Sequence, residues 1–534
     1  MSPKMEENFV SVNRSLTDLL GHEYIEAVCN AKSYFDGSSL KSLRAIADQQ
    51  VEFYSTEMQA RADELLDSVG TKVSYEFPKG GEGAPSASFR QASQLGAAPL
   101  AGFGPYRIGE DGRLYLAAKS EHYHASLGHS FPGYRLIDNA RKLGIPNATH
   151  NNTRGYIQRR LEREIIRIAN GIPVDAGTRL DNAIATDAPH ILNRVINLQT
   201  GSLAVEAAAK MMLSRFYNLD NAETRPKYAG RKPVFFVIAD EEGGRQANYH
   251  GTTVLTQVMR GLWPQFSSSI EVGGMFTVVP VRMHDIDDFR SKLVRYNIDD
   301  YKVAGFFHEI VLMNYGGILI GQEYLADAYE LCRKYDVPVC VDEIQSCGWF
   351  DQLFLFKQYG LKPDFVAVGK GLSGGEYAAS KIIATAEMDN LTQFGALVTN
   401  GQEELAALAY LVTIEFAKAN DSHTRSVGEY YHSCLEVLQS SHSRIVSAIE
   451  GKGHLSTLFF HNPAQVVEFC RRISRRGIDI SAHTYKPKCP PAALTKLPVV
   501  TSRRAVDFIV DAMQQELVEM SGSEESAITG SVGE

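Results

Sequence analysis

Two apolar stretches near the middle of the chain end in side chains that can ionise. Residues 337–341 are followed at once by Asp342 and Glu343, and residues 364–369 lead into Lys370 within a glycine-rich turn. A buried carboxylate is costly unless a cation or a donor pairs with it. A lysine at the end of a buried strand can have a lowered pKa and then attack a carbonyl carbon. The pattern predicts a reactive lysine and a paired carboxylate at the ends of two strands.

A third feature lies upstream, where the stretch 199–202, Gln-Thr-Gly-Ser, separates a predicted strand from an alanine-rich helix. Glycine allows the backbone to approach a ligand closely, and the first turn of a helix attracts phosphate. Taken one at a time, the three features have ordinary structural explanations, because carboxylates and hydroxyls also cap helices and fill turns.

Together the three features are more specific than any one of them. Asp342 and Lys370 close consecutive strands, so both can face one crevice, with the phosphate-binding turn on the same sheet. Pyridoxal phosphate needs this set, namely a lysine, a carboxylate on its pyridinium nitrogen and a cradle for its phosphate. A Walker A loop is excluded, because Asp364 and Gly371 occupy the positions where that loop needs a glycine and a hydroxyl residue.

The elements that must position these residues alternate between about residues 190 and 390. Strand-like runs such as PVFFVIA, VAGFFHEIVL and VPVCVDE are separated by helical stretches such as GQEYLADAYELCRKYD. This alternation predicts an α/β fold with a mostly parallel sheet covered by helices. We expect a loop over 79–88 and a hairpin within 103–134.

The domain organisation follows from these patterns and from composition. The final stretch is small, polar and acidic, which is typical of a disordered tail. We predict a helical N-terminal extension (1–95), an N-terminal segment with the large domain (96–419), a smaller C-terminal α/β domain (420–519) and a disordered tail (520–534).

Composition and charge narrow the class of protein. The 534 residues carry 54 Lys and Arg against 63 Asp and Glu, a net charge of −9, which argues against nucleic acid or an anionic membrane as the main partner. The seven cysteines are odd in number and show no zinc-ligand spacing, so we expect no metal site and a reduced, cytoplasmic setting. No stretch resembles a signal peptide or reaches the roughly 18 apolar residues of a membrane helix.

Five stretches resemble motifs of a known family. VDEIQ (341–345) is similar to the family's VDEVQ, and residues 363–380 are similar to its PDI-x-x-x-GK-x-L-GGG-x-P-x-SA. QTGSLAVEAAAK (199–210), NYHGTT (248–253) and LGHSFPGY (127–134) resemble NSGTEAVEAAIK, YHGRT and LGHNHP. The chain thus resembles the class III aminotransferases, the ω-amino-acid type of fold type I pyridoxal-phosphate enzyme.

The resemblance covers about residues 96–519 and carries expectations about the fold and the reacting groups. It implies a large domain with a mostly parallel seven-stranded sheet and a smaller C-terminal α/β domain. Lys370 would form the Schiff base with the cofactor and, once freed, move the proton. Asp342 would pair with the pyridine nitrogen, and Gln345 would bond to the ring 3-oxygen.

The same resemblance implies further binding residues. Gly201 and Ser202 would hold the phosphate, and Tyr249 would stack on the ring with His250 beside it. Glu309 falls at the glutamate of the family's Glu-Pro motif and would support the residues around the cofactor. Thr399 matches a threonine that reaches the phosphate of the neighbouring subunit, which implies a homodimer with shared active sites.

The chain departs from the family pattern at three places. SCGWFDQ follows VDEIQ where the family has TGFGRTG, Asn314 replaces a second acid, and residues 494–499 replace Arg-x-x-Pro-Pro-Leu. The arginine that commonly grips a substrate carboxylate is therefore missing, and we expect a pocket unlike that of ornithine or GABA enzymes. Lys496, Arg503 and Arg504 are candidates to replace it.

The leading hypothesis is an aminotransferase that moves an amino group between an amine or amino acid and a keto acid or aldehyde. Another reaction of the same cofactor stays open, such as that of an aminomutase, racemase, decarboxylase or carbon-carbon lyase, because substrate orientation decides which bond breaks. A non-catalytic paralogue is a third hypothesis, against which Lys370, Asp342 and Gln345 argue. A nicotinamide dehydrogenase is not favoured, because no GxGxxG follows an early strand.

Overall fold

The fold is described from a computed structural model of the chain. The structure describes residues 9–77, 83–88, 98–119, 124–150, 152–220, 224–298, 300–484 and 489–530, with side chains as far as residue 522. Part of the predicted loop over 79–88 and the last four residues of the predicted tail lie outside the described residues.

Strands and helices alternate over most of the described chain. The strands are β1 (Asn13–Arg14), β2 (Val51–Glu52), β3 (Pro99–Phe103), β4 (Tyr106–Gly109), β5 (Leu114–Ala117), β6 (Leu192–Leu198), β7 (Lys232–Ile238), β8 (Thr277–Val281), β9 (Tyr301–His308), β10 (Val311–Leu312), β11 (Ile318–Leu319), β12 (Val339–Asp342), β13 (Phe365–Val368), β14 (Ser380–Thr385), β15 (Val446–Lys452), β16 (Leu455–Phe460), β17 (Ile478–Asp479), β18 (Ser481–His483) and β19 (Ala492–Leu494).

Helices lie on both faces of the main sheet. They also form much of the N-terminal and C-terminal segments of the chain. They are α1 (Leu16–Leu20), α2 (His22–Asp36), α3 (Leu40–Ala47), α4 (Thr56–Glu64), α5 (Arg135–Lys142), α6 (Tyr156–Ala169), α7 (Gly177–Ala185), α8 (Gly201–Leu213), α9 (Val254–Met259), α10 (Pro264–Val272), α11 (Ile286–Arg295), α12 (Gln322–Lys334), α13 (Leu355–Gln358), α14 (Gln393–Ala396), α15 (Glu404–Ala419), α16 (Asp421–Ser441), α17 (Pro463–Arg475) and α18 (Arg503–Gly530).

The central sheet has seven strands in the order β6, β14, β13, β12, β9, β7 and β8. β14 is antiparallel to both of its neighbours, and the other pairs are parallel. The prediction of a mostly parallel seven-stranded sheet is therefore confirmed. The central strands β12 and β13 are buried along their whole length, which explains their nearly continuous apolar sequences.

The parallel register of β12 and β13 brings the two ionisable strand ends together. Asp342 lies opposite Ala367 on the neighbouring strand, three residues before Lys370. Both groups therefore lie at the carboxyl edge of the sheet, where open α/β sheets bind their ligands.

Small residues let α8 pack closely against this sheet. Ala204, Ala207 and Ala208 are buried on the helix, and Gly305 on β9 leaves the space that Met212 fills, because a Cβ atom there would lie 2.1 Å from its sulfur. The close packing fixes the N-terminal end of α8 at the carboxyl edge of the sheet.

The C-terminal part of the chain forms a second unit. β15, β16, β19 and β18 make an antiparallel four-stranded sheet, which α16, α17 and α18 accompany. β17 instead pairs in parallel with β5 and extends the β3–β5 hairpin sheet. Residues 98–118 are thus joined by hydrogen bonds to the C-terminal unit, a pairing that the sequence did not suggest.

The described part of the N-terminal extension is helical and belongs to the main hydrophobic core. A capping box between Ser15 and Asp18 begins α1. Phe53 and Tyr54, which follow β2, pack against Phe131 and Phe416 of the large domain. The extension is therefore packed onto the large domain and is not a loosely attached segment.

The last helix is longer than the sequence suggested. Three side chains of α18 are buried at helical spacing, those of Met513, Leu517 and Met520. The helix is therefore packed as far as residue 520, where the predicted disordered tail begins, and it continues to Gly530. The predicted domain boundaries themselves stay predictions. Over the described ranges, the structure contains no helix whose length and apolarity would suffice to cross a bilayer.

Candidate active site

A cavity of about 490 Å³ opens at the carboxyl edge of the central sheet. That volume lies within the range of small-molecule and cofactor sites. Eight residues singled out in the sequence line it: Gly201, Ser202, Tyr249, His250, Glu309, Asp342, Gln345 and Lys370.

The carboxylate of Asp342 is paired inside this cavity. Its Oδ2 lies 2.9 Å from Nδ1 of His250, and its Oδ1 accepts a hydrogen bond from the backbone N–H of Ile344 at 3.1 Å. Both side chains are almost fully buried. The other ring nitrogen of His250, Nε2, is also buried and has no hydrogen-bond partner among the described residues. The contacts with His250 and Ile344 hold the Asp342 carboxylate in one orientation.

Glu343, the next residue, is turned away from the cavity. Its carboxyl accepts hydrogen bonds from the Ser346 hydroxyl and from the backbone N–H of Phe356. Burial raises the pKa of Glu343 to about 7, and these hydrogen bonds only partly oppose that rise. The group therefore holds the loop after β12 in place and does not contact the cavity.

Lys370 enters the cavity from a strained turn. Its φ of 40° lies in the left-handed region, which is uncommon for a residue with a side chain. Gly371 follows, and a Cβ atom there would lie 2.0 Å from the Trp349 ring, so glycine is required. Burial lowers the pKa of the Lys370 ammonium, while Glu309 and Asp342 act in the opposite direction.

The N-terminal end of α8 forms a cradle with the loop that follows β7. Thr200 caps the helix, and the Ser202 hydroxyl accepts a hydrogen bond from the backbone N–H of Thr252 at 3.0 Å. Gly251 is required there, since its φ is 129° and a Cβ atom would lie 2.5 Å from Ser202. Free N–H groups in a first helical turn, with hydroxyls beside them, bind anions.

Gln345 is held from behind by a residue of the C-terminal unit. Nζ of Lys496 donates to the backbone oxygen of Gln345 at 2.6 Å and lies 3.3 Å from its Oε1. The same ammonium nitrogen lies 3.6 Å from the centre of the Trp349 ring. The sequence singled out Lys496 only as a substitute for the missing arginine, and this contact with Gln345 was not anticipated.

The remaining predicted residues fall in three places. Tyr249 lines the cavity, and its ring lies 5.1 Å from the guanidinium carbon of Arg260. Thr399 is exposed and is not among the residues that line the cavity. Arg503 and Arg504 line a different cavity at the start of α18, and neither reaches the residues around Lys370.

Two polar side chains of the cavity lining, those of His124 and Tyr377, were given no role from the sequence. The Tyr377 hydroxyl accepts a hydrogen bond from Arg141 at 2.9 Å. Tyr377 lies within the matched stretch 363–380, so its position seven residues after Lys370 was the available signal. His124 precedes the matched stretch 127–134 and carried no such signal.

A comparison with protein families identifies the group to which this chain is related. The sequence pattern of the family described as Aminotransferase class-III matches residues 104–487. The chain belongs to that family. The resemblance noted in the sequence motifs is therefore confirmed.

Individual relatives agree with this assignment. The chain is 30% identical to the ornithine aminotransferase of Plasmodium chabaudi chabaudi over 208 residues, which cover 37% of this chain and 50% of that protein. It is 25% identical to the acetylornithine aminotransferase of Aquifex aeolicus (strain VF5) over 344 residues, or 63% of this chain and 78% of that protein. The chain thus spans about half the length of the first of these relatives.

The fold also matches solved structures of this family. An ornithine aminotransferase from Toxoplasma gondii superposes with a TM-score of 0.62 at 19% identity, covering 82% of this chain and 94% of that one. In that structure pyridoxal phosphate partially occupies the active site. The present chain, a member of the class III aminotransferase family, therefore has the fold of the fold type I pyridoxal-phosphate-dependent transferases.

The cavity suits the cofactor of the family, pyridoxal phosphate. That molecule requires a lysine amine, a carboxylate and an anion cradle, and the cavity lining contains Lys370, Asp342 and the α8 terminus at Gly201 and Ser202. The carboxylate is already buried and oriented by His250, which is the arrangement that a cationic ring nitrogen requires. The residues present therefore fit the cofactor.

Proposed function

We propose that this chain catalyses pyridoxal-phosphate-dependent transamination, moving an amino group between an amine or amino acid and a keto acid or aldehyde. The observation that carries the proposal is the meeting of Lys370 with the buried Asp342–His250 pair in one cavity. The cofactor supplies the electron sink for bond cleavage at the amino-bearing carbon. The protein residues bind it, orient it and move protons.

Lys370 is the proposed nucleophile and proton carrier. Burial lowers the pKa of its ammonium, which increases the fraction of the neutral amine that can attack a carbonyl carbon. Once displaced by a substrate amine, the same nitrogen is placed to take up and return a proton. Asp342 keeps a proton on the ring nitrogen, and His250 keeps the carboxylate in position.

The other cavity residues are proposed to bind the cofactor. Gly201 and Ser202 hold the phosphate at the start of α8, Tyr249 stacks on the ring, and Gln345 donates to the ring oxygen next to Lys370. Their presence in the cavity lining supports these roles. Glu309 lines the same cavity, is buried, and acts on Lys370 through its charge.

We also propose a homodimer in which Thr399 contacts the phosphate of the partner's cofactor. Thr399 is exposed and lies outside the cavity of its own chain. Phe394, in the same segment, is 90% exposed, and Leu397 is 40% exposed. Exposed apolar side chains of this size commonly mark a protein interface. Mass photometry should therefore report a dimer.

The proposed setting is the reducing cytoplasm, with small-molecule donors and acceptors as partners. No disulfide joins the cysteines of the described residues, and six of the seven are buried, which suits a compartment that keeps thiols reduced. Cys347 donates to the backbone oxygen of Gly369, and burial raises the pKa of its thiol to about 12. It is therefore proposed to be structural and not a nucleophile.

The decisive experiment is visible absorbance of the purified protein with added pyridoxal phosphate. We expect a yellow band that an amino donor removes and a keto acid restores, with glutamate, alanine and ω-amines tested as donors. Lys370→Ala should lose the band, while Lys362→Ala, at an exposed lysine before the same strand, should keep it. A wild-type protein that takes up no cofactor would contradict the proposal.

The same experiment tests the rival reactions. A racemase, decarboxylase or lyase would show the yellow band without its reversible loss, because its substrate leaves the amino group where it began or breaks a different bond. An aminomutase would move the amino group to another carbon of the same molecule and would need no separate keto acid. Product analysis by mass spectrometry then separates these reactions. A band that no donor changes would favour a non-catalytic paralogue.

A further inference from the structure

Two departures from the family pattern, far apart in the sequence, meet behind the cavity. The stretch SCGWFDQ contributes Trp349, and residues 494–499 contribute Lys496. The ammonium nitrogen lies 3.6 Å from the centre of the indole ring, a favourable contact for a buried cation. Nε1 of Trp349 donates to the backbone oxygen of Leu497 at 3.0 Å. The two altered segments therefore form one packed unit.

This unit contacts Gln345, a residue of the cavity lining. Nζ of Lys496 donates to its backbone oxygen at 2.6 Å and lies 3.3 Å from its Oε1. Lys496 is 0% exposed and Gln345 is 4% exposed. Gln345 lines the cavity and Lys496 does not, so Lys496 is placed behind Gln345 and cannot serve as the carboxylate-gripping residue of the pocket.

A glutamine amide has a donor end and an acceptor end, and its function depends on which end faces the ligand. The contact with Lys496 occupies the acceptor, Oε1. The donor end, Nε2, is thereby left for the cavity. An amine donates hydrogen bonds whether or not it is protonated, so this orientation does not depend on the charge of Lys496.

We propose that Lys496 is a positioning residue, which fixes the amide of Gln345 so that its N–H donor faces the cofactor oxygen beside Lys370. The inference rests on the proposed function, because it assigns Lys496 a role toward the bound cofactor. It explains why the two departures occur together, since Trp349 and Lys496 support each other and only Lys496 reaches Gln345. Lys496 acts through Gln345 and not on the substrate.

The electrostatic surroundings agree with this role. Burial holds the pKa of Lys496 well below its usual value, and Lys370 acts in the same direction, while Cys347 and Glu309 oppose it. A donor on the ring oxygen draws negative charge away from the nitrogen of Lys370. That nitrogen then holds its proton less tightly, which favours the neutral form needed for proton uptake.

The test is Lys496→Met, which keeps the length of the side chain and removes its donors. The readout is the pH midpoint of the visible absorbance of the protein loaded with pyridoxal phosphate, which reports proton binding at the nitrogen of Lys370. We expect the midpoint to rise by about one pH unit and the dissociation constant of the cofactor to rise about tenfold.

Lys302→Met is a matched control at another buried lysine. Lys302 lies near the start of β9, at the end of the sheet opposite the cavity. Nζ of Lys302 also donates to a backbone oxygen, that of Tyr335 at 2.6 Å, and to the amide oxygen of Asn297 at 3.0 Å. It also lies 5.0 Å from the centre of the Tyr228 ring. The control loses equivalent buried contacts, so it should lose stability and leave the pH midpoint unchanged.

A double-variant comparison separates the amide from a direct charge effect. In Gln345→Met, adding Lys496→Met should leave the midpoint unchanged, because the amide is already absent. This pair stays informative if Lys496→Met alone fails to fold, since the double variant also removes the acceptor Oε1 that the single variant leaves unpaired. A midpoint shift of the same size in the Gln345→Met background, or no shift in the single variant, would overturn the inference.

Failure of the proposed function looks different from failure of this inference. A wild-type protein that binds no pyridoxal phosphate would contradict both the proposed function and the role given to Lys496. A wild-type protein that binds the cofactor, beside a Lys496→Met protein with an unchanged midpoint, would remove only the role given to Lys496.

Discussion

Asp342 and Glu343 are consecutive residues at the end of β12, and both carboxyl groups are buried, yet they face opposite sides. Side chains alternate along a strand, so Asp342 points into the cavity and Glu343 points into the loop behind it. On the cavity side the carboxylate is paired with His250. On the loop side the carboxyl contacts a hydroxyl and a backbone N–H, and its pKa rises to about 7.

The difference shows that a buried acid at a strand end is not by itself a catalytic signal. What decides its role is the set of groups around it. A basic side chain beside it and an open cavity in front of it suit a carboxylate to binding a cation. Burial in a closed loop favours the protonated form, which the neutral donors there only partly oppose, and it suits a structural role. The following predictions test this contrast, starting with the largest expected effect.

Asp342→Asn should abolish most of the activity while leaving the fold intact. The amide keeps the shape and can still accept from Ile344, but it cannot hold a proton on the ring nitrogen. We expect the rate of the amino-donor half-reaction to fall on the order of 10³-fold, measured by stopped-flow absorbance.

Asp364→Asn is the control for that change. Asp364 accepts a hydrogen bond from the backbone N–H of Val339 at 2.9 Å, at the other end of the same pair of strands. It should lower stability and change the rate by less than about twofold. Equal rate losses in the two variants would show that the cavity side has no special role.

Glu343→Gln should change the pH dependence of stability and not the reaction. The folded pKa of about 7 lies above the usual 4.5, so between these values the folded state binds the proton more tightly than the unfolded state. Proton binding by Glu343 therefore stabilises the folded state at low pH, and this stabilisation is lost as pH rises through about 7. The loss amounts to roughly 3 kcal/mol.

The glutamine of Glu343→Gln is neutral at every pH tested. The variant should therefore lack this part of the pH dependence of the free energy of unfolding. Thermal unfolding at about pH 5 and about pH 7.5 checks the prediction. The wild type should lose more stability across the interval than Glu343→Gln, and Glu323→Gln, at an exposed glutamate, should behave as the wild type. Parallel curves for all three proteins would refute the assignment of the raised pKa to Glu343.

His250→Phe should weaken catalysis by removing the donor that orients Asp342. A hydrogen bond to a charged group is worth about 1.5–3 kcal/mol, so we expect about a tenfold lower rate or more. His250→Gln keeps a side-chain N–H and should recover part of the loss. Steady-state kinetics of the three proteins provide the measurement, and a Phe variant as active as the wild type would contradict the prediction.

Cys347→Ala should have the smallest effect. The thiol is fully buried on the loop side and donates to the backbone oxygen of Gly369 at 3.3 Å. We expect a loss of about 1 kcal/mol in stability and a rate within about twofold of the wild type, measured by urea unfolding and by kinetics. A large loss of rate with unchanged stability would give Cys347 a chemical role.

The sequence predicted the sheet and most of the cavity because both depend on local patterns. The apolar runs ending at Asp342 and Lys370 carry their own strand signal, and the parallel register then brings their ends together. The hydrogen-bond partner of Asp342 was harder to predict from the sequence. The sequence predicted a cofactor nitrogen as the partner, whereas the structure also supplies the imidazole of His250, 92 residues away in the chain.

Other features had no local signal at all. β17 is two residues long and pairs with β5 across the whole large domain, so no periodicity could have predicted it. The contact between Lys496 and Gln345 depends on how the C-terminal unit packs against the sheet. Lys496 lies in a mainly apolar stretch, residues 494–499, but its partner could not be predicted from its neighbours in the sequence.

The contact between Lys496 and Gln345 also has a consequence for the order in which the protein is made. The two residues are separated by 151 positions, and domains generally begin to fold from the N-terminal side during synthesis. A growing chain on the ribosome can therefore complete the sheet that holds Asp342 and Lys370 well before Lys496 has been translated. Until the last segment emerges, the amide of Gln345 lacks its contact with Lys496.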